Sequence, residues 1–340
     1  MVLLPDHIQY PSVNPILENP KIPYWSVMIT AYNRSQYLKQ AIKSVLDQGY
    51  GSDEMQIEVV DDCSTEGDIE AIVKTAGQGR VSYYRQPVNV GIFANWNTCI
   101  NRAQGRWIHI LSDDDEVMPG FYEVYRHHLE KYQCSVAIGQ SIFINEHDQW
   151  TGISDALQNS GGILENALWL LSKDNPVRTP AIVVAREAYE KVGGFTTDLI
   201  YTPDWEMWTR LASSFQVVYT NRPYSLFRVH SHSATSRTVL TGDSVTDSLA
   251  ASKIIQARFE DPIDRKKVQS SVNNWLGKAS FFYSRQLVIE GHYQSALLHA
   301  VWAFRLIPSF SSLKNISSTL LRILRSLVRK AIVGDSIQTS

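Results

Sequence analysis

Two kinds of apolar pattern take turns along this chain. Short unbroken runs predict buried strands, and sets recurring every three or four residues predict helices. The first run, Trp25-Ser-Val-Met-Ile-Thr30, breaks at Ala31-Tyr32-Asn33-Arg34. Leu38, Ala41, Ile42, Val45 and Leu46 then mark a helix over about 35–48. A second strand, Gln56-Ile-Glu-Val-Val60, stops at Asp61-Asp62. A helix over 69–75, a strand over 81–84 and a helix over 95–103 follow. They lead to the run Trp107-Ile-His-Ile-Leu111, which ends in Ser112-Asp-Asp-Asp115. Strands alternating with helices imply an α/β fold, with a mostly parallel Rossmann-like sheet covered by helices on both faces. Ligands of such sheets gather at the carboxyl ends of the strands. The most polar punctuation falls at those ends: Asn33-Arg34, Asp61-Asp62 and Asp113–Asp115.

Further along the pattern loosens. Short strands are predicted over 136–144, 181–185 and 216–220, with a Gly193-Gly194-Phe195 turn and a helix over 204–212. After Thr246 only helical spacing remains, and residues 273–308 read as a docking hairpin, since one such unit cannot make a solenoid. The organisation expected is a Pro-rich arm over 1–23, an α/β domain over 24–240, a helical extension over 245–310 and a basic amphipathic helix over 311–334.

With 340 residues and 44% hydrophobic content, the chain can bury a sizeable core. Its formal net charge of -2 argues against a general nucleic-acid binder, which needs a basic face. Cys63, Cys99 and Cys134 form no CxxC pair, so a reduced, cytosolic setting is expected rather than disulfides or structural zinc. No secretory leader is read at the start, and no apolar stretch reaches the roughly 20 residues that span a bilayer. The charge distribution adds one feature. Gly291 to Gly334 contains no acidic residue but holds Arg305, Lys314, Arg322, Arg325, Arg329 and Lys330. Helical geometry puts Ile316, Leu320, Leu324, Leu327, Val328 and Ala331 on one face, with Arg322, Arg325 and Arg329 opposite. Residues 312–334 are therefore expected to lie in an anionic membrane interface, the alternative being packing on the protein itself or on a partner.

The chemistry concentrates in a few places. Three adjacent carboxylates, Asp113-Asp114-Asp115, repel one another, so a fold that holds them together calls for a cation. Hard oxygen ligands suit Mn²⁺ or Mg²⁺, above all where a diphosphate completes the coordination. A solvated acidic turn capping the next helix is the plainer alternative. Asp61-Asp62 can accept from a base N–H or a ribose hydroxyl, or merely serve the Cys63-Ser64-Thr65 turn. Asn89-Val-Gly91 is a turn that permits close backbone approach. Asp204 opens a helix with Trp205, Trp208, Leu211 and Ala212 on one face, either as an N-cap or as a general base at a cleft edge. Arg228-Val-His230 offers a guanidinium and an imidazole suited to a diphosphate or a metal, whereas His7, His127 and His128 read as structural.

In sequence order, Val27-Met-Ile-Thr-Ala-Tyr-Asn-Arg34, Val60-Asp-Asp-Cys-Ser-Thr65, Asn89-Val-Gly91, Asp113–Asp115 with Pro119, Gly193-Gly194-Phe195, Asp204-Trp-Glu-Met-Trp-Thr-Arg-Leu211 and Arg228-Val-His230 form one series. This series resembles the inverting glycosyltransferases of family 2, which have the GT-A fold. The resemblance implies that Thr30, Ala31, Tyr32, Arg34, Asn89, Gly91, Asn97, Asp113 and Arg228 line a nucleotide-sugar pocket and that Asp62 reads a uridine base. It implies Mn²⁺ or Mg²⁺ at Asp114, with Asp115 and His230 as further ligands. Asp204 takes the place of the catalytic base, with Glu206 or Asp198 next in line. The donor implied is a UDP-sugar, with dTDP- and GDP-sugars as alternatives, because a base-reading carboxylate suits more than one base. The acceptor is a glycan or lipid-linked saccharide, as in O-antigen or capsule biosynthesis at the cytoplasmic face of a membrane.

Two positions depart from the family pattern. Ser112 stands where many members have a first Asp, and Trp96 stands where relatives often carry Arg before Asn97. No Gln-x-x-Arg-Trp motif marks a processive synthase, so a single-addition enzyme is expected. A nucleotidyltransferase would place a Gly-rich basic loop after the first strand, and Thr30-Ala-Tyr-Asn-Arg-Ser35 is not one. A glycoside hydrolase would pair carboxylates without needing a nucleotide pocket. A non-catalytic carbohydrate-binding scaffold on the same fold is opposed by the intact Asp114, Asp204 and His230.

Overall fold

In the computed structural model, which describes residues 8, 10–16, 22–230, 233–309, 313–314 and 316–325, the first apolar run becomes β1 (Trp25–Ala31). Val27, Met28 and Ile29 are fully buried, as a strand covered on both faces requires. β1 pairs in parallel with β2 (Met55–Asp61) on one side and β4 (Trp107–Ser112) on the other. β3 (Ser82–Arg85) extends the parallel set beyond β2. The crossovers are α1 (Ser35–Leu46), α2 (Ile69–Gly77) and α3 (Ile92–Arg102), as parallel strands demand.

The sheet then changes direction. β9 (Ile182–Ala185) runs antiparallel to both β4 and β6 (Val136–Ile144), and so joins the first four strands to a second parallel pair, β6 with β10 (Val217–Arg228). Three short strands finish the edges. β5 (Glu116–Val117) and β8 (Gly162–Ile163) lie antiparallel to β10, and β7 (Trp150–Ile153) to β6. The helices α4 (Phe121–Tyr132), α5 (Ala167–Ser172), α6 (Arg186–Val192) and α7 (Pro203–Ser214) complete this half of the chain. The result is the α/β architecture expected, with a mixed outer half.

Three boundaries differ from the sequence pattern for local reasons. α3 begins at Ile92 rather than Asn95 because Gly91, at φ 87°, supplies the break in front of it. α4 is heralded by Gly120 at φ 84° and shows no clean apolar stripe in sequence, since His127 and His128 interrupt it. β10 does not stop at Thr220 but runs on to Arg228, absorbing Asn221–Tyr224 through two register shifts against β6. Pro223 is tolerated at such irregularities because the ladder there needs no N–H.

The contacts divide the chain into two units, one drawn from residues 3–171 and 175–230, the other from 172–174 and 231–340. The second is helical throughout its described part: α8 (Ala234–Thr241), α9 (Asp243–Gln256), α10 (Pro262–Glu290) and α11 (Tyr293–Leu306). α10 opens on Asp261, whose side chain accepts from Ile263 N–H, with Pro262 in the first turn. It closes at Gly291 in the left-handed region (φ 86°), and α11 folds back as the second arm of the predicted hairpin. Residues 316–325 are helical and lie against α10: Thr319 is buried, its hydroxyl 3.1 Å from that of Ser284, and Ile323 packs on Val239, Leu287, Val288 and Ala296. The face turned inward is thus Ile316, Thr319 and Ile323, whereas Leu320 and Leu324, predicted to share Ile316's face, are exposed with Leu321. Leu327, Val328, Arg329 and Ala331 of the same predicted helix lie outside the described residues, as does most of the 1–23 arm. Among the described residues no helix is long and apolar enough to cross a membrane.

Candidate active site

Strand register builds the site. Ala31 lies beside Asp61, and Thr30 lies beside Ser112, so the chain leaving β1 is flanked by the chains leaving β2 and β4. On the β2 side Asp62 N–H donates to Ala31 C=O at 2.9 Å. On the β4 side Tyr32 N–H donates to Asp113 Oδ2 at 3.1 Å. Asn33, in the left-handed region, ties the two loops after β1 and β2 together: its side-chain oxygen accepts from Thr65 and Glu66 N–H. Thr30, Ala31, Tyr32, Asp62 and Asp113 therefore form one rim.

β10 closes the rim from the other side. Through its antiparallel pairing with β5 it carries Arg228 and His230 to the acidic turn. His230 Nε2 lies 3.0 Å from Asp114 Oδ2, and Arg34 Nη1 contacts the same oxygen. Arg34 Nε is 3.4 Å from Asp113 Oδ1. Asp115 Oδ1 accepts the backbone N–H of Arg228 at 2.9 Å. All three aspartates are buried. Burial pushes Asp113 up to about 7 against the pull of Arg34, and drives Asp115 well above the carboxylate range, helped by the Asp114 charge. Burial acts to raise Asp114 too, but the His230 hydrogen bond and Arg34 outweigh it and hold this carboxyl below its ordinary value.

Arg228 departs from expectation. A cation reaching a donor diphosphate must be reachable, and this side chain is fully enclosed. Its Nε donates to Asp114 C=O (2.9 Å), its Nη1 to Asn145 C=O (3.0 Å) and Asp148 Oδ1 (2.5 Å), and its Nη2 to Glu116 Oε1 (2.8 Å). Tyr37, one turn into α1, stacks under the guanidinium at 4.4 Å and sits 5.7 Å from the His230 ring. Arg228 thus braces the acidic turn, and the cation at its mouth is Arg34, whose side chain keeps 22% exposure.

Asn97 and Asp62 are similarly committed. Asn97 Nδ2 donates to Phe195 C=O (2.8 Å) and its Oδ1 accepts Phe195 N–H (2.7 Å), so both ends of the amide clamp the Gly193-Gly194-Phe195 turn. Asp62 gathers the turn ahead of α3: Oδ1 accepts Val90 N–H, and Oδ2 accepts Gly91 N–H and the Asn89 amide, all within 2.8–2.9 Å. Burial raises Asp62 above its ordinary value despite these bonds. Asp62, Asn89 and Gly91 are therefore brought together, as one structural knot at the β2 end of the rim.

Asp204 is the second residue of α7, not its N-cap, which is Thr202. Oδ1 accepts Trp205 N–H at 2.7 Å and Oδ2 accepts the Asn175 amide at 2.9 Å. Burial raises its pKa against both bonds. Glu206 is no rival: fully buried, it is held by Arg210 at 3.0 Å and by the Tyr10 hydroxyl at 2.8 Å. Asp198 is exposed. The sequence pattern missed Asn175, Tyr37, Glu116 and Asp148 as partners. Of these only Glu116, adjacent to the Asp run, carried a local signal.

Does the acidic turn fit a divalent ion? Asp113, Asp114, Asp115, Glu116 and Asp148 set five carboxyl groups against two guanidiniums, Arg34 and Arg228, and burial holds Asp113 and Asp115 toward the protonated form, a crowding that a further cation would relieve. Asp114 Oδ2 and His230 Nε2 already converge. Among the described residues no three His, Cys, Asp or Glu side chains close on one point, because Asp113 turns to Tyr32 and Asp115 to β10. The set fits an ion that takes one carboxylate and one imidazole from the protein and its other ligands from a diphosphate and water. Asp115, a further ligand in what the resemblance implied, accepts the Arg228 backbone N–H through Oδ1.

Residues 26–193 match the model of Glycosyl transferase family 2, and this part of the chain is a glycosyltransferase domain of that family. It is similar to the putative colanic acid biosynthesis glycosyl transferase WcaA of Escherichia coli K12, 37% identical over 110 residues, covering 32% of this chain and 39% of that protein. In fold it is similar to S. aureus TarS 1-349, solved in complex with UDP-GlcNAc (TM-score 0.60, 12% identity, 90% of this chain and 92% of that one). It also resembles the mannosyltransferase PcManGT from Pyrobaculum calidifontis, solved with GDP-Man and Mn²⁺ (TM-score 0.56, 14% identity, 89% and 81%).

Proposed function

We propose that this enzyme moves a sugar, with inversion at the anomeric carbon, from a UDP-sugar to a hydroxyl of a glycan or lipid-linked saccharide. The observation that carries the reading is the convergence of Asp114, His230, Arg34 and Tyr32 at the ends of β1 and β4 in a family 2 domain. UDP-GlcNAc bound to TarS, and GDP-Man with Mn²⁺ bound to PcManGT, support a nucleotide-sugar donor and a divalent ion. Asp114 and His230 would hold that ion, Mn²⁺ or Mg²⁺, which when bound neutralises charge growing on the departing diphosphate. Asp113 fixes the backbone after β1 through Tyr32 N–H and so shapes the donor pocket. Asp204 takes the proton from the acceptor hydroxyl as its oxygen attacks opposite the leaving diphosphate.

Turnover of UDP-sugars should vanish in EDTA and return with Mn²⁺ or Mg²⁺. Asp114→Asn should lose both the ion response and donor affinity. Hydrolysis of a nucleotide-sugar panel by the purified protein reads both. Full activity in chelator would remove the ion from the scheme.

Attachment to the cytoplasmic face of a membrane belongs to the same proposal. Its support is the exposure of Leu320, Leu321 and Leu324 beside exposed Arg322 and Arg325, a basic and apolar surface suited to anionic lipid. Deleting residues 312–340 should abolish co-sedimentation with anionic liposomes, and undiminished co-sedimentation would refute it.

A further inference from the structure

Arg34 is a cation in the place where a cation is needed. Its Nη1 contacts Asp114 Oδ2, the same oxygen that meets His230 Nε2, and its Nε lies near Asp113. The carboxylate oxygen best placed to bind an ion is thus already neutralised. Asp113, Asp114 and Asp115 have almost no exposure, while Arg34 keeps 22% and forms the solvent-facing edge of the cluster. Its backbone is also not helical. Arg34 is the N-cap of α1 at φ -134°, ψ 53°, and its side chain makes no capping bond. The guanidinium can therefore swing on its stem without unwinding α1.

We propose that Arg34 is a built-in substitute cation that couples entry of the divalent ion to binding of the donor. The inference rests on the Asp114–His230 ion position proposed above. Where neither ion nor donor is bound, the guanidinium balances Asp113 and Asp114, and a free ion has to displace it. An arriving nucleoside diphosphate offers Arg34 a better partner, since a guanidinium fork matches phosphate oxygens two at a time. Transfer of Arg34 to the diphosphate frees Asp114 for the ion. Arg228 cannot make this exchange, because its contacts are all internal to the fold. Each ligand then favours the other, and by linkage the factor is the same in both directions.

The test is Mn²⁺ binding to the full chain by electron paramagnetic resonance, with and without UDP, in the parent, Arg34→Gln and Arg34→Lys. In the parent, UDP should tighten Mn²⁺ by about 10–100-fold. Arg34→Gln should bind Mn²⁺ alone more tightly than the parent, and the UDP effect should shrink to roughly a tenth. Mn²⁺ alone should raise the melting temperature of Arg34→Gln more than that of the parent, a readout independent of turnover. Arg34→Lys retains a cation but loses the fork. It should bind Mn²⁺ alone as the parent does and UDP about tenfold more weakly, and it covers the case in which Arg34→Gln does not fold. Equal Mn²⁺ affinity of parent and Arg34→Gln without UDP, or parent-like UDP affinity in Arg34→Lys, overturns the coupling and leaves the ion position standing. Absence of Mn²⁺ binding in every protein, UDP present, overturns the ion position and the coupling with it.

Discussion

Asp204→Asn should lower turnover by roughly 10²–10⁴ while leaving UDP affinity and melting temperature in place. The structure explains why the fold should survive. Asn keeps an oxygen for Trp205 N–H, but its new amide meets the Asn175 amide, donor against donor. Among the described residues Asn175 Oδ1 is buried without a hydrogen-bond partner, so a flip of that amide presents an acceptor and restores the contact. On the proposed role, what the change removes is the proton acceptor. The pH profile gives an independent check. Burial raises Asp204, so the parent's acid limb should fall above the ordinary aspartate value of about 3.9. Activity is present while the carboxyl is ionised and declines as pH drops through the raised pKa. In the Asn variant that limb should disappear from whatever rate is left. Near-normal turnover would reduce Asp204 to a support for the start of α7.

Arg228→Met should be the most destabilising single change at the site, by about 3–5 kcal/mol, the usual result of breaking a buried ion pair from one side. Glu116 and the half-exposed Asp148 can turn to water once released, which favours the lower end. The carbonyls of Asp114 and Asn145 lose their donors, and the Tyr37 ring loses the cation stacked on it. At about 2–4 °C per kcal/mol for a folding unit of roughly 150–250 residues, the melting temperature of the unit that holds the site should drop by roughly 10 °C. A calorimetric scan reads the effect directly. A drop of only a degree or two would mean that Arg228 is replaceable as a brace, and would reopen a role for it at the diphosphate.

Sequence pattern carried most of the sheet because its central strands are buried on both faces and read as unbroken apolar runs. β1, β2, β4 and β6 were legible for that reason. Strands that are irregular or two residues long were not: nothing local marks Glu116–Val117 as β5, and β10 passes through Asn221-Arg222-Pro223 on bulges set by its partner. Polar residues at strand ends marked the loops that the fold brings together at Tyr32, Arg34, Asp113 and Asp114, but not the partners each residue takes. Arg228 and Asn97 look like ligand-binding residues in sequence. Only the fold reveals that Asp148, 80 positions away, and Phe195, 98 positions away, claim them. Local periodicity cannot encode such pairings.

The bracing of the acidic turn by β10 bears on the order in which a newly made chain becomes an enzyme. Asp114 emerges 116 residues before His230 and 114 before Arg228. Until the late strand arrives, Arg34 is the only guanidinium among those described that the three crowded carboxylates have to offset their repulsion. Contacts so distant in sequence form slowly, because the loop between them has to close first. The strand that finishes the sheet also finishes the site, so competence comes last. A fragment trimmed to the family match, residues 26–193, would retain every carboxylate of the turn and none of β10. It would look like the heart of the enzyme and hold the acidic turn without the residues that brace it.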